Sequence, residues 1–202
     1  DDNCRYNCIQ QIEQTRYISG NEPEKYYGKW PFKRVFGLQE FCSTLFSIFN
    51  FVPFFYYFFR LHLLMPKPYF MYPIWFSYTL SGMNTWLWSS AFHARDNLLT
   101  VRLDYFCATF SILYLLNIAT IRIFYIQRRF WFITIIPSCL YFIWHCYTLH
   151  YEDFDYGWNM TMMVIFGTIY CLLWYIWALF NPKHTHRWKI CVANTIIFVM
   201  SA

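Results

Sequence analysis

Long apolar segments separated by short polar stretches make up most of the chain. Five of them approach or exceed the roughly 20 residues that a helix needs to cross the hydrocarbon core of a bilayer, and a sixth is shorter. Residues 1–35 are more polar and precede the first apolar segment. The pattern predicts membrane helices near residues 36–59, 70–93, 103–121, 130–149, 157–180 and 188–202.

The composition points to the same class of protein. Of 202 residues, 58% are hydrophobic and only 13% are charged, whereas soluble domains carry about 25% charged residues. The net charge of +5 does not indicate a nucleic-acid partner, because the basic residues are spread over separate loops and form no recognised nucleic-acid module. We therefore predict an all-α polytopic membrane protein.

The distribution of charge predicts the orientation. Loops on the cytosolic side of a membrane are enriched in Lys and Arg. Loops one, three and five between the apolar segments contain eight such residues, namely Arg60, Lys67, Arg122, Arg128, Arg129, Lys183, Arg187 and Lys189. The even-numbered loops contain the acidic stretch "HYEDFDYG" and only two basic residues. We therefore expect the N-terminus and the edge at residues 93–104 to face the lumen or exterior.

The chain ends, the cysteines and one glycosylation sequon add three expectations. The chain starts without Met and stops within an apolar stretch, so we expect a fragment truncated at both ends. Cys4 and Cys8 lie in the predicted lumenal segment, where disulfides persist. Their C-x3-C spacing also suits a zinc pair, but no second pair is nearby, so we favour disulfides with partners upstream. The sequon Asn159-Met-Thr161 lies almost within the fifth segment, and we expect it to be unused.

One polar cluster interrupts the apolar pattern. Ser89 and His93 are four residues apart, which places them on one face of a helix. A loop of about eight residues should then return the chain to Asp104 at the start of the next segment. This antiparallel arrangement brings Asp104 close to the other two side chains. Polar groups at such depth are costly in lipid and usually face a partner or a water-filled cavity.

Three interpretations of this cluster remain open from the residues alone. In the first, Asp104 caps its helix, His93 sits at the interface and Ser89 bonds to its own helix. The second is a Ser–His–Asp triad, although a Ser and a His on one helical turn rarely meet in the geometry of attack. The third is a zinc site, but catalytic zinc commonly has three protein ligands and the cluster offers one imidazole. His145 and His150 lie on the same side, where interfacial packing is the simpler interpretation.

The stretch "NTWLWSSAFHARDNLLTVRLDYFCA" resembles the S-x3-H…D signature of the CREST superfamily of membrane hydrolases. The closer resemblance is to the post-GPI-attachment-to-proteins factor three, or Per-one-like, family. Further similar stretches are "DDNCRYNC", "KYYGKWPFKRVFGLQEFCS", "FDYGWNM" and "WALFNPKHTHRWKICV". The resemblance extends over essentially the whole chain.

The resemblance implies a bundle of seven transmembrane helices, about six of which are present here. It implies an enzyme of the Golgi or endoplasmic reticulum that removes the sn-2 acyl chain from the phosphatidylinositol of GPI-anchored proteins. By the same resemblance, His93 would bind zinc, Asp104 would accept or relay a proton, and Ser89 would orient water or stabilise an oxyanion. Asp96 is an alternative acid, unless it neutralises Arg95.

The family also carries a D-x-H-x3-H motif at the start of its seventh helix, whereas this chain ends in the sixth. We therefore expect two further zinc ligands beyond Ala202 and no activity from this fragment alone. Two alternative functions stay open. One is a non-enzymatic receptor or chaperone for GPI-anchored proteins, and the other is a ceramidase-like amidase with the same metal core.

Overall fold

The structure is a computed structural model that describes residues 2–26, 30–151 and 155–201, and all regular elements within these ranges are helices. They are α1 (Asp2–Ile18), α2 (Phe41–Leu64), α3 (Tyr72–Ala94), α4 (Leu98–Ile123), α5 (Phe132–Tyr151), α6 (Tyr156–Phe180) and α7 (Arg187–Ser201). A single 3-10 turn, Arg128–Phe130, precedes α5. The predicted all-α fold class is confirmed.

Among the residues that the structure describes, four helices are long and apolar enough to cross a membrane: α2, α4, α5 with its preceding turn, and α6. On α2, Phe46, Phe49 and Leu63 are each more than 60% exposed, as expected for side chains that contact lipid. The chain is therefore a polytopic membrane protein. Helices α3, with 23 residues, and α7, with 15, are not among these four, so the predicted membrane spans at these two helices stay predictions.

Helix α4 lies at the centre of the bundle. It packs against α3, α5 and α6, while α2 packs on α3 and α7 packs on α6. We call the end where α3 finishes and α2 and α4 begin the His93 end. Two buried apolar clusters lie toward the opposite end and comprise Met71, Ile74, Ile118 and Ile121, and Ala119, Trp174, Trp177, Ala178 and Cys191. Toward the His93 end the buried side chains include many polar ones, namely Thr44, Ser47, Ser89, Thr100, Asp104, Thr109, His145 and Asn159.

The start of α2 differs from the prediction. The apolar pattern placed a helix over 36–59, but α2 begins five residues later, at Phe41. Phe36 and Gly37 have φ angles of 52° and 79°, in the left-handed region that interrupts a helix. Val35 and Leu38 close this turn with two backbone hydrogen bonds of 3.0 Å. The turn therefore fixes where the chain enters the bundle.

The connection between α3 and α4 is also shorter than predicted, with three residues, 95–97, instead of about eight. Asn97 begins α4 because its Oδ1 accepts hydrogen bonds from the backbone N–H groups of Leu99 and Thr100, both at 3.0 Å. Thr100 Oγ1 in turn accepts a hydrogen bond from the Asn97 backbone N–H, which completes a capping box. The interpretation of Asp104 as a helix cap is therefore wrong, because Asp104 lies in the second turn of α4.

Helix α1 was not predicted, because its polar sequence has no strong apolar face. It docks on residues 30–34, which lead toward α2. The guanidinium of Arg34 lies 4.2 Å from the centre of the Tyr6 ring, and Gln10 Nε2 donates to the Pro31 carbonyl at 3.1 Å. Tyr26 donates to Glu13 at 2.7 Å, and this hydrogen bond raises the pKa of the Tyr26 phenol. The N-terminal segment is thereby attached to the chain that enters the bundle.

Replacing Gly82 by leucine is expected to destabilise the α2–α3 pair. A Cβ at residue 82 would overlap the ring of Phe54 on α2, including its Cγ atom. Overpacking costs about 1–3 kcal/mol, which equals or exceeds the roughly 1 kcal/mol that removing a helical glycine contributes. Thermal unfolding in detergent should show a lower midpoint for Gly82→Leu. The double variant Gly82→Leu/Phe54→Ala should recover part of the loss, and an unchanged midpoint in the single variant would contradict this close packing.

Candidate functional site

The predicted pair Ser89 and His93 lies on the last two turns of α3, at the His93 end of the bundle. Ser89 is buried, with 7% of its surface exposed, and its Oγ lies 3.0 Å from the Oγ of Ser47 on α2. Either hydroxyl can donate in this contact. About a quarter of the surface of the His93 side chain is exposed. The site thus has one buried hydroxyl and one imidazole that is open to a ligand.

Glu40 is the partner of His93 and was missed in the sequence. Its Oε2 lies 2.8 Å from His93 Nδ1, and its side chain is 14% exposed. Glu40 immediately precedes α2, so it is 53 positions from His93 in the chain but adjacent to it in space. One signal was available, namely a carboxylate at the boundary of an apolar segment on the same side of the membrane as His93. Charged groups at such positions are commonly functional.

Asp104 lies on α4, the helix that packs against α3. It is 9% exposed, so its carboxyl group is nearly buried. Phe92, which precedes His93, contacts Tyr105, which follows Asp104. The centres of their rings lie 5.9 Å apart, edge to face, across the α3–α4 pair. The structure therefore places Asp104 on the neighbouring helix at the same end of the bundle as His93.

The contacts of Ser89 and His93 differ from those of a Ser–His–Asp triad. In a triad the serine hydroxyl donates to the histidine, and the second ring nitrogen donates to a carboxylate. Here Ser89 Oγ is paired with Ser47, and His93 Nδ1 is paired with Glu40 rather than with Asp104. This arrangement favours separate roles for the hydroxyl and the imidazole.

His93 fits the requirements of a single metal ligand. A metal-binding histidine commonly donates its other ring N–H to a carboxylate, which fixes the tautomer and the ring direction. The Nδ1 contact with Glu40 has this form and leaves Nε2 for a metal. Within the described ranges, no three His, Cys, Asp or Glu side chains are grouped closely enough to hold a metal ion. The two further histidines expected beyond Ala202 stay a prediction.

His145 is buried rather than interfacial, which corrects the prediction. Its ring is fully buried between α5 and α6, and its Nε2 lies 3.0 Å from Asn159 Oδ1. Thr109 on α4 donates to the same oxygen at 3.4 Å. These hydrogen bonds join α4, α5 and α6, and His145 is therefore part of the packed core. His150, by contrast, is exposed. Asn159 is 4% exposed, so its sequon is inaccessible in the folded bundle.

Cys4 and Cys8 lie one turn apart on α1, and both thiols are exposed and free. They are therefore not bonded to each other in the structure. The expected disulfides with upstream partners stay a prediction.

The comparisons with known proteins agree over the whole chain. The Per1-like family matches residues 1–202. A Xenopus laevis protein named "GPI-specific phospholipase A2-like PGAP3" is 32% identical over 97% of this chain and 62% of its own length. The "Protein PER1 homolog" of Schizosaccharomyces pombe is 32% identical over 98% of this chain and 62% of its own length. The chain thus spans about three-fifths of the length of these curated relatives, and no solved structure matches it.

Proposed function

The chain belongs to the Per1-like family, and on this premise we propose that it is part of a zinc-dependent hydrolase that removes the sn-2 acyl chain from GPI-anchored proteins. Its place would be the membrane of the Golgi or endoplasmic reticulum. The observation that carries the proposal is the gathering of Ser89, His93 and Asp104 at one end of the α3–α4 pair. The names of the relatives, which include "GPI-specific phospholipase A2-like", support the substrate and the reaction class.

The depth of the site suits an ester of a phospholipid. With the predicted membrane span of α3 ending near Ala94, Ser89 would lie five residues below that end, which corresponds to about 7.5 Å along a helix. The acyl esters of a phospholipid lie at a similar depth, at the boundary between the hydrocarbon core and the headgroups. A hydrolase with its reactive groups at this level would reach the ester without drawing the acyl chain into water.

Each of the three residues would have a separate chemical role. When bound, zinc supplies a water molecule of lowered pKa and polarises an ester carbonyl. His93 would hold the ion through Nε2. Asp104 would accept the proton that the attacking water gives up. Ser89 would donate a hydrogen bond to the carbonyl oxygen as it gains negative charge, and its own proton is available whenever Ser47 is the donor in their contact.

The composition of GPI anchors from cells that lack the gene tests this proposal. Loss of the protein is expected to leave an unsaturated acyl chain at the sn-2 position, and re-expression should restore the remodelled anchor. An unchanged sn-2 composition would contradict the proposed function.

The proposed function also requires the His93 end to face the lumen, where the protein and glycan of the substrate lie. The basic side chains at the opposite end of the bundle support this orientation. Two of them donate hydrogen bonds to the α2–α3 connection. Arg122 donates to the Tyr69 hydroxyl at 2.9 Å, and Arg128 donates to the Phe70 carbonyl at 3.1 Å. Under the positive-inside rule this end would be cytosolic.

New glycosylation sequons should report this orientation. Pro23→Thr creates a sequon at exposed residues 21–23, and Lys183→Asn creates one at residues 183–185 in the α6–α7 loop. We expect a glycan only on the Pro23→Thr variant, seen as a mobility shift that an endoglycosidase reverses. The unmodified protein, with its inaccessible sequon at Asn159, should show no shift. A glycan on Lys183→Asn and none on Pro23→Thr would show that the protein has the opposite orientation.

A further inference from the structure

We propose that Glu40 is a positioning residue that fixes the tautomer and direction of the His93 ring, so that Nε2 is the nitrogen presented to a metal ion. The inference rests on the proposed function, because it concerns the same site. It adds a residue that lies outside the S-x3-H…D signature and precedes the first long apolar helix.

The chemistry of the contact sets the tautomer. When Glu40 is ionised, its carboxylate can only accept hydrogen bonds, and the proton in the 2.8 Å contact is then carried by His93 Nδ1. In a neutral imidazole the other nitrogen, Nε2, then has a free lone pair. A metal can bind only such a lone pair, and the carboxylate also increases the basicity of the ligand nitrogen. Glu40 would therefore prepare His93 for binding before the metal arrives.

The main chain holds Glu40 in place independently of its carboxylate. The backbone N–H of Glu40 donates to the His93 carbonyl at 3.0 Å, and the backbone N–H of Gln39 donates to the Ala94 carbonyl at 3.1 Å. Thr44 Oγ1 donates to the Glu40 carbonyl at 2.8 Å. Residues 39 and 40 are thus attached to the end of α3 by backbone groups. A variant that changes only the Glu40 side chain should keep this attachment.

A second pair of side chains repeats the relation between α2 and α3. Glu40 is the N-cap residue of α2, and Ser47 lies in the second turn of the same helix. Glu40 contacts His93, and Ser47 contacts Ser89. The start of α2 thus supplies one partner for each functional residue on α3. This correspondence is expected of a helix that orients a site, and it is not needed merely to pack two apolar surfaces.

The test measures zinc binding and stability, which do not depend on catalysis. Full-length protein in detergent is compared with Glu40→Ala and Glu40→Gln, and with Glu22→Gln as the control for loss of an exposed carboxylate in the N-terminal segment. Zinc affinity is measured by competition with a chelating dye, and thermal unfolding is recorded with and without zinc. Loss of such an outer partner typically lowers metal affinity about 10–100-fold.

We expect Glu40→Ala to bind zinc about 10–100-fold more weakly, Glu40→Gln to lie between it and the wild type, and Glu22→Gln to match the wild type. The zinc-free unfolding temperature of Glu40→Gln should be unchanged, while its increase on adding zinc should be smaller. Wild-type zinc affinity in Glu40→Ala would overturn the inference. So would a loss of unfolding temperature in Glu40→Gln that is equal with and without zinc, because the carboxylate would then be purely structural.

His93→Ala, measured in the same assay, separates this inference from the proposed function. If His93→Ala abolishes zinc binding and Glu40→Ala does not affect it, only the role of Glu40 is wrong. If His93→Ala also binds zinc like the wild type, the proposed metal site itself is wrong.

Discussion

Cells that lack the native gene and express His93→Ala are expected to retain unsaturated sn-2 chains on their GPI anchors. Cells that lack the gene and express no variant should show the same chains. His93 is the imidazole that the site offers to zinc, with its Nδ1 held by Glu40 at 2.8 Å. Polarisation by a metal contributes several kcal/mol to lowering the barrier, and each 1.4 kcal/mol corresponds to about a tenfold rate change. The hydrolysis rate should therefore fall by at least about a hundredfold.

His150→Ala is the matched control, because His150 lies at the same end of the bundle but is exposed at the end of α5. It should restore remodelled anchors fully. Equal amounts of each variant in the membrane must be established first. Restoration by His93→Ala would instead favour the non-enzymatic receptor or chaperone for GPI-anchored proteins.

The second large effect is expected for Asp104→Asn in the purified full-length protein. Asparagine has nearly the same shape as aspartate, but an NH2 donor replaces one of the two acceptor oxygens and the side chain cannot accept the proton from water. General-base catalysis typically contributes about 10²–10⁴-fold, so the hydrolysis rate should fall within this range. Zinc affinity should change little, because the proposed role of Asp104 is to move a proton. A parallel loss of zinc would assign Asp104 to binding the metal.

Asp96→Asn is the control for this experiment. Asp96 lies in the α3–α4 connection, three residues after His93, and its backbone N–H donates to Gln39 Oε1 at 3.3 Å. A change of its carboxyl group leaves this backbone bond in place. We expect a rate near that of the wild type. If Asp96→Asn loses activity and Asp104→Asn does not, Asp96 is the acid–base group.

Helices α2 to α7 could be predicted from the apolar pattern, whereas their ends depend on local chemistry that the pattern does not contain. A membrane span needs a long apolar run, which is visible in sequence. The start of α2 is set by the left-handed conformations of Phe36 and Gly37, and the start of α4 by the Asn97 cap. One feature is a short turn and the other is a single polar side chain. A search for long apolar segments detects neither of them.

The site could be predicted where its residues share one helix or lie on two helices joined by a short connection, as Asp104 does. Ser89 and His93 followed from helical periodicity, but Glu40 depends on how α2 packs against α3, across 53 positions of sequence. The burial of His145 was missed for a related reason. A helix that is apolar on every side gives little indication of which face meets lipid and which meets other helices. Its contact with Asn159 requires the arrangement of α5 against α6.

The acyl composition of purified GPI anchors, determined by mass spectrometry, tests the central claim most directly. Anchors would be compared from cells that lack the gene, from the same cells with the wild-type protein restored, and from those expressing His93→Ala. The proposed hydrolase predicts unsaturated sn-2 chains in the first and third and remodelled anchors in the second. The same sn-2 composition in all three would contradict it.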